Sequence, residues 1–249
     1  MCRGIDVLIT DRCIAHAAGA MVVLYSVVSH KQFKYFQANQ GVSAITFSRD
    51  GRFIAAGERG RQPSILVWDV QSGVLRFEFK GHTFGVSCLC FSPDNTRLVS
   101  AGFKHDGQIC VWDLTSGLQL VSHKVLNQIY SIDYTETGEW FVTCGERHLK
   151  YWYLSSPMYG VEAILEGRPA SILDEHKDAT FLDVRCGRGE HASAVYTTTS
   201  TGLLCTFSSA RLMERWVQLD AQTAYCIDLV RSCVAVGCDN GTVRLFDLT

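Results

Sequence analysis

The strongest constraint on this chain is that it repeats itself. The segments SILVWDV ending at Val70, QICVWDL ending at Leu114, LKYWYL ending at Leu154, LLCTFSS ending at Ser209 and TVRLFDL ending at Leu248 are alike, and MVVLYSV near the start makes six. Their aromatic residues, Tyr25, Trp68, Trp112, Trp152, Phe207 and Phe246, are spaced by 43, 44, 40, 55 and 39 residues. That period is close to one four-stranded propeller blade.

Each unit has the same grammar: an alternating strand, a polar turn, a small-residue strand, a tight turn, then the aromatic strand. VSAITFSRDG leads into RFIAAGERG and SILVWDV, and VSCLCFSPDN leads into RLVSAGFKHDG and QICVWDL. The Ser-Arg-Asp-Gly and Ser-Pro-Asp-Asn turns carry residues that accept type I or left-handed geometry. A fourth strand follows the aromatic one, as in VLRFEFKGH at 74–82. Apolar residues recur at every second position rather than every third or fourth, which excludes helices over these segments. The fold expected is all-β, a single β-propeller over 1–249 with blades at about 1–38, 39–82, 83–126, 127–177, 178–221 and 222–249, the last without its outer strand. The one long departure, 155–177, contains Pro157, Gly160, Gly167 and Pro169 and is expected to hold the fourth blade's outer strand plus an exposed loop.

A four-stranded blade cannot cover both of its faces alone, so blades must stack face to face. With six units present, an incomplete seven-bladed ring is the expectation, and a six-bladed ring with its gap filled around residues 2–5 is the alternative. The unfinished ring predicts a chain less stable and more prone to associate than one extended by about one blade.

Composition narrows the function. The chain is 47% hydrophobic and 19% charged, with 23 Lys and Arg against 25 Asp and Glu, so neither a disordered tail nor bulk-charge binding to nucleic acid fits. The 11 cysteines are scattered from Cys2 to Cys238, mostly inside apolar runs, which suits a reducing compartment better than a disulfide framework. The longest apolar stretch, 14–28, is too short to span a bilayer and follows Asp6, Asp11 and Arg12 rather than a basic leader, so a cytoplasmic protein without membrane contact is expected.

The repeat units resemble WD repeats. Gly81-His82, Ser100, Asp106 and Trp112 match that family's structural tetrad in the third unit, Asp106 standing six residues before Trp112. Other units depart: Asn39-Gln40 stand where Gly-His would, and Tyr153 stands for the aspartate of the WD dipeptide, so those blades are expected to rely more on packing. More narrowly, GFKHDGQICVW, GERHLKYWYL, CGRGEH, STGLLCTF and CDNGTVRLF resemble, in the same order over 18–246, the N-terminal propeller of the mitogen-activated protein kinase-binding protein 1 and WD repeat-containing protein 62 family. The resemblance implies a non-catalytic scaffold in Jun N-terminal kinase signalling, at spindle poles and centrosomes, or both. It also implies further chain, a second propeller and a long C-terminal region that carries kinase docking, as partners of this one. The nucleus is a further location it allows.

No catalytic, cofactor-binding or metal-binding constellation emerges. There is no phosphate-cradling Gly-rich loop, GxSxG elbow, HExxH or repeated CxxC. Cys88 and Cys90 share a strand face without a second pair, and Cys233 and Cys238 flank a strand. Glu190-His191 and His105-Asp106 are neighbours in sequence, which on a strand places them on opposite faces. Asn240-Gly241-Thr242 spells a glycosylation sequon but occupies a tight turn. Ser92-Pro93 and Ser156-Pro157 are proline-directed kinase sites in spelling; Ser92 reads as a turn former and Ser156 as the better acceptor. RGRQPSILV at 59–67 spells a kinase-docking peptide, yet Ile65 and Val67 are committed to an aromatic strand.

What remains is a rim. Glu58, Arg59, Arg61, Lys104, His105, Glu146, Arg147, His148 and Asp239 lie in corresponding turns between second and third strands and are expected to form a mixed-charge ring for protein partners. Phe103 and Trp140 are candidate hot spots. Arg185, Arg188 and Arg211 carry no interleaved aromatics, so nucleic acid is not indicated. A signalling or spindle scaffold leads; a generic WD-repeat adaptor in a ubiquitin ligase or RNA-processing complex is the alternative, and a propeller enzyme with metal at the channel mouth ranks third.

Overall fold

The computed structural model describes the backbone of residues 5–8 and residues 13–155, 163–230 and 232–248 in full. Among them there are 23 β-strands, and the helical content is two 3₁₀ turns at Asp174–His176 and Gly189–His191. The first sheet holds β1 (Ile5–Leu8), β2 (Cys13–Ala18), β3 (Met21–Ser26) and β4 (Lys31–Gln37). The second holds β5 (Val42–Phe47), β6 (Phe53–Glu58), β7 (Ser64–Asp69) and β8 (Leu75–Lys80). The third holds β9 (Val86–Phe91), β10 (Arg97–Gly102), β11 (Gln108–Asp113) and β12 (Gln119–Lys124).

The fourth sheet holds β13 (Ile129–Tyr134), β14 (Trp140–Gly145), β15 (His148–Leu154) and β16 (Leu165–Pro169). The fifth holds β17 (Phe181–Cys186), β18 (Ala194–Thr199), β19 (Leu203–Ser208) and β20 (Met213–Gln218). The sixth is three-stranded, with β21 (Ala224–Val230), β22 (Cys233–Cys238) and β23 (Val243–Asp247). Every sheet is an antiparallel meander in chain order, and the architecture is that of β-propeller blades. The first three sheets form one compact unit and the last three another.

Within the first unit the sheets stack face to face. Val22, Leu24 and Phe36 of the first sheet meet Ile54, Leu66 and Trp68 of the second. Ile65, Val67 and Phe79 of the second meet Leu89, Leu98 and Trp112 of the third. The outer-strand aromatic of one sheet thereby rests on the indole of the next, Phe36 on Trp68 at 5.3 Å and Phe79 on Trp112 at 4.9 Å between ring centroids. Each such aromatic removes enough apolar surface from water to contribute about 2–3 kcal/mol. Because β6, β7, β10 and β11 are covered on both faces, they carry Ala, Ile, Val and Leu without strict alternation, whereas β8 alternates toward solvent.

The aromatic position also disturbs the ladder. In four sheets the pairing of the third and fourth strands shifts register at Tyr25, Trp68, Trp112 and Phe207. The fourth sheet pairs Trp152 with Gly167 without a shift, and a Cβ at Gly167 would lie only 2.5 Å from the indole.

In the second unit Val142 and Tyr151 pack against Val184, Val195 and Phe207, and Tyr196 and Leu204 against Ile227, Val234 and Val236. A buried carboxylate ties the first strands of all three sheets here. Asp183 on β17 accepts the Ser131 hydroxyl from β13 at 2.9 Å, the Ile227 N–H from β21 at 3.1 Å and Arg185 Nη1 at 3.2 Å. Such a charge is stable in the interior only because each of its oxygens is hydrogen-bonded.

The sixth sheet departs from the others. Its face bearing Ile227, Val234, Val236 and Phe246 is covered, but the opposite face places Cys226, Val230, Ala235, Val243 and Leu245 toward solvent. Val243 is 70% exposed and Leu245 68%. Exposed Val243 and Leu245, on a face that also carries Asp228 and Asp247, favour association. The 249-residue polypeptide is therefore expected to self-associate with rising concentration, and the double substitution Val243→Lys, Leu245→Lys to reduce it; sedimentation velocity at several concentrations checks both.

Candidate protein-interaction rim

The side chains that hold the turns come first, because they fix what the turns present. In the third sheet one hydrogen-bonded chain runs inward from the loop. The Trp112 indole N–H donates to Ser100 Oγ at 2.8 Å, the Ser100 hydroxyl donates to His82 Nε2 at 2.7 Å, and His82 Nδ1–H donates to Asp106 Oδ2 at 2.5 Å. Asp106 Oδ1 accepts the Thr83 N–H as well. Burial alone would raise the Asp106 carboxyl, but the hydrogen bonds from His82 and Thr83 outweigh it and hold it below the ordinary carboxylate value. The chain binds the 81–85 loop and the 103–107 turn to the small-residue strand β10.

The second sheet lacks Gly-His and solves the same problem with Glu58, the last residue of β6. One carboxylate oxygen accepts the Asn39 N–H at 2.7 Å and the Gln40 N–H at 2.9 Å, and the other accepts the Ser64 N–H at 2.9 Å. A sheet expected to rely more on packing thus also has a polar staple of its own. Glu58 is fully buried, so its placement on a partner-facing rim is corrected: three backbone donors draw it inward. Removing it leaves three N–H groups unsatisfied at about 1 kcal/mol or more each. Glu58→Ala is expected to lower stability by about 3 kcal/mol and Arg61→Ala by less than about 0.5, read from urea denaturation of each variant.

The fourth sheet uses a third arrangement. The Trp152 indole N–H donates to Thr143 Oγ1 at 2.7 Å, and the Thr143 hydroxyl lies 2.7 Å from His148 Nε2. His148 opens β15 and is buried, so it does not stand on the solvent rim as the sequence reading has it. Burial, with the Lys150 ammonium adding to it, lowers His148 from its ordinary 6.5 to about 3. A base that is neutral when folded but protonates when unfolded withdraws stability as acid is added. Stability is therefore full above pH 6.5 and declines as pH falls toward 3; His148→Gln is expected to flatten that slope between urea denaturation curves at pH 7 and pH 5.

Arg59, Arg61, Lys104 and His105 are exposed on the turns leaving β6 and β10, at one end of the first unit. In this unit the exposed group is cationic rather than mixed, since Glu58 and Asp106 both turn inward. In the second unit Arg147 and Asp239 are exposed and Glu146 is half-buried, its N–H bonded to the Gln128 carbonyl. Phe103 is half-buried, and Trp140 packs on Tyr151 at 5.0 Å. Phe84, which the sequence reading passed over, is 47% exposed beside these turns.

Other singled-out residues have structural places. Arg185 is held between Asp183 and Asp228. The Ser92 hydroxyl is buried, donating to Asp94 and accepting the Arg97 N–H, while Asn95 takes φ 57°. Ile65 and Val67 are buried in β7. The Asn240 amide donates to the Asp220 carbonyl, and its carbonyl accepts from Thr242. Burial pushes the Cys110 thiol up to about 12, with the Asp106 carboxylate adding to it, and pushes Cys205 up to about 12, so both are inert core groups. Ser156 and residues 2–4 lie outside the described residues.

Comparison with known proteins agrees with this architecture. The family described as "WD domain, G-beta repeat" matches residues 30–69, 73–113 and 117–153. Mitogen-activated protein kinase-binding protein 1 of Mus musculus is 44% identical over 238 residues, covering 94% of this chain and 16% of the relative, and the Homo sapiens protein of that name is 44% identical over 244. WD repeat-containing protein 62 of Sus scrofa is 38% identical over 239 residues, covering 94% of this chain and 15% of the relative. The chain belongs to the WD-repeat family that contains these two proteins, and it spans about one sixth of their length.

Proposed function

We propose that this chain is a non-catalytic protein-interaction module of a scaffold acting in mitogen-activated kinase signalling, through Jun N-terminal kinase, or at spindle poles and centrosomes. The observation that carries the reading is the likeness over 94% of the chain to a relative whose name states that it binds a mitogen-activated protein kinase. Two features of the molecule support it. The turns are held by buried polar chains that fix the backbone from which the exposed side chains project, and the buried Cys110, Cys205 and His148 have structural places in the core.

On this reading the module works in the cytoplasm or on the spindle, alongside the remainder of a longer polypeptide, and contributes surface rather than kinase docking. The likeness to WD-repeat proteins also supports a second reading, an adaptor in a ubiquitin ligase or RNA-processing complex. Proximity labelling in dividing cells with the chain fused to a biotin ligase separates the two. Enrichment of kinase-pathway or spindle-pole proteins is the expected outcome; recovery of ligase or RNA-processing subunits in their place overturns the first reading in favour of the second.

A further inference from the structure

The loops at one end of the first unit sort their charges by direction. The connections at 38–41, 59–63, 81–85 and 103–107, together with Glu58 at the end of β6, contain two acids, Glu58 and Asp106. Both carboxylates are buried: Glu58 accepts three backbone N–H groups, and Asp106 accepts His82 and Thr83. Arg59 and Arg61, on the turn that follows β6, are exposed. This end therefore presents positive charge with its counter-charge sequestered beneath.

The backbone draws these residues together. Arg59 bridges Gly85 across the second and third sheets, the Gln62 N–H donates to the Thr83 carbonyl at 2.9 Å, and the Phe103 N–H donates to the Gly85 carbonyl at 3.1 Å. Gly85 has φ 113°, and a Cβ there would lie 2.7 Å from the Phe103 ring and 3.3 Å from Arg59 Cα. Glycine is thus required for Phe103 to lie over the loop next to Arg59. Phe84 is exposed in the loop that these backbone contacts join to the turn bearing Arg59 and Arg61, and it supplies apolar surface there. Arginine forks flanked by aromatic rings recognise planar carboxylates while covering adjacent apolar side chains.

We propose that the surface formed by Arg59, Arg61, Phe84 and Phe103 docks an extended acidic peptide of a protein partner, one in which carboxylate side chains alternate with apolar ones. This deepens the reading of the chain as a protein-interaction module and rests on it. The occupant follows from charge complementarity: a carboxylate-rich strand supplies the counter-charge that Glu58 and Asp106 do not present, and its apolar residues meet the two phenylalanines.

The test is fluorescence anisotropy of the full chain with a fluorescein-labelled peptide of alternating glutamate and leucine. Saturable binding that weakens as salt rises is expected. Arg59→Ala, Arg61→Ala together, and Phe84→Ala separately, are each expected to weaken it about tenfold, while Arg52→Ala at the opposite end of the second sheet leaves it unchanged. Circular dichroism melts of the variants keep misfolding apart from lost contact. Absence of binding, equal loss with Arg52→Ala, or tighter binding of a single-stranded RNA of matched charge overturns the proposal. If the Arg59, Arg61 variant keeps the kinase-pathway or spindle neighbours of the parent chain in proximity labelling, this surface is not the docking site although the scaffold reading stands.

Discussion

A sheet of four strands whose middle pair is apolar on both sides cannot be stable alone, and everything else in this protein follows from meeting that need by stacking. Stacking explains why β6, β10 and β14 contain so few polar side chains, and why Phe36 and Phe79 of the outer strands in the first unit rest on the indole of the following sheet. It also concentrates the polar difficulty in the turns, where backbone donors come under cover without strand partners.

The three best-defined turns answer that difficulty with different chemistry. The third sheet uses a chain from Trp112 through Ser100 and His82 to Asp106; the second uses the single carboxylate of Glu58; the fourth uses Trp152, Thr143 and His148. What is common is an acceptor or relay buried at the end of the small-residue strand or the start of the aromatic one. Because Glu58 and Asp106 are consumed in this way, the charge that the turns after β6 and β10 show to solvent is basic, so internal satisfaction and outward recognition are two sides of one arrangement.

Much of the fold was legible from residue order alone. The recurrence of the aromatic strands fixed the strand grammar and the all-β class, and the spacing of His82, Ser100, Asp106 and Trp112 pointed to the third sheet's relay because each residue keeps its own chemistry there. Glu58 and His148 were misplaced for a physical reason: a charged or titratable residue in a turn looks solvent-facing in a sequence, and only the count of backbone donors around it says otherwise. A lone acid closing the small apolar run FIAAGE was the available signal. The exposure of Phe84 left no trace in the pattern, since an aromatic beside a loop glycine can turn either way.

Asp183 carries a consequence for how such a chain can change. Repeat proteins usually drift one unit at a time, since each touches its neighbours through interchangeable apolar contacts. Here a single carboxylate serves Ser131, Arg185 and the Ile227 amide, drawn from three successive sheets. Loss of the Ser131 or Arg185 side chain leaves the carboxylate short of a donor while the Ile227 amide stays in place, so replacements of Asp183, Ser131 and Arg185 are tolerated in concert rather than singly.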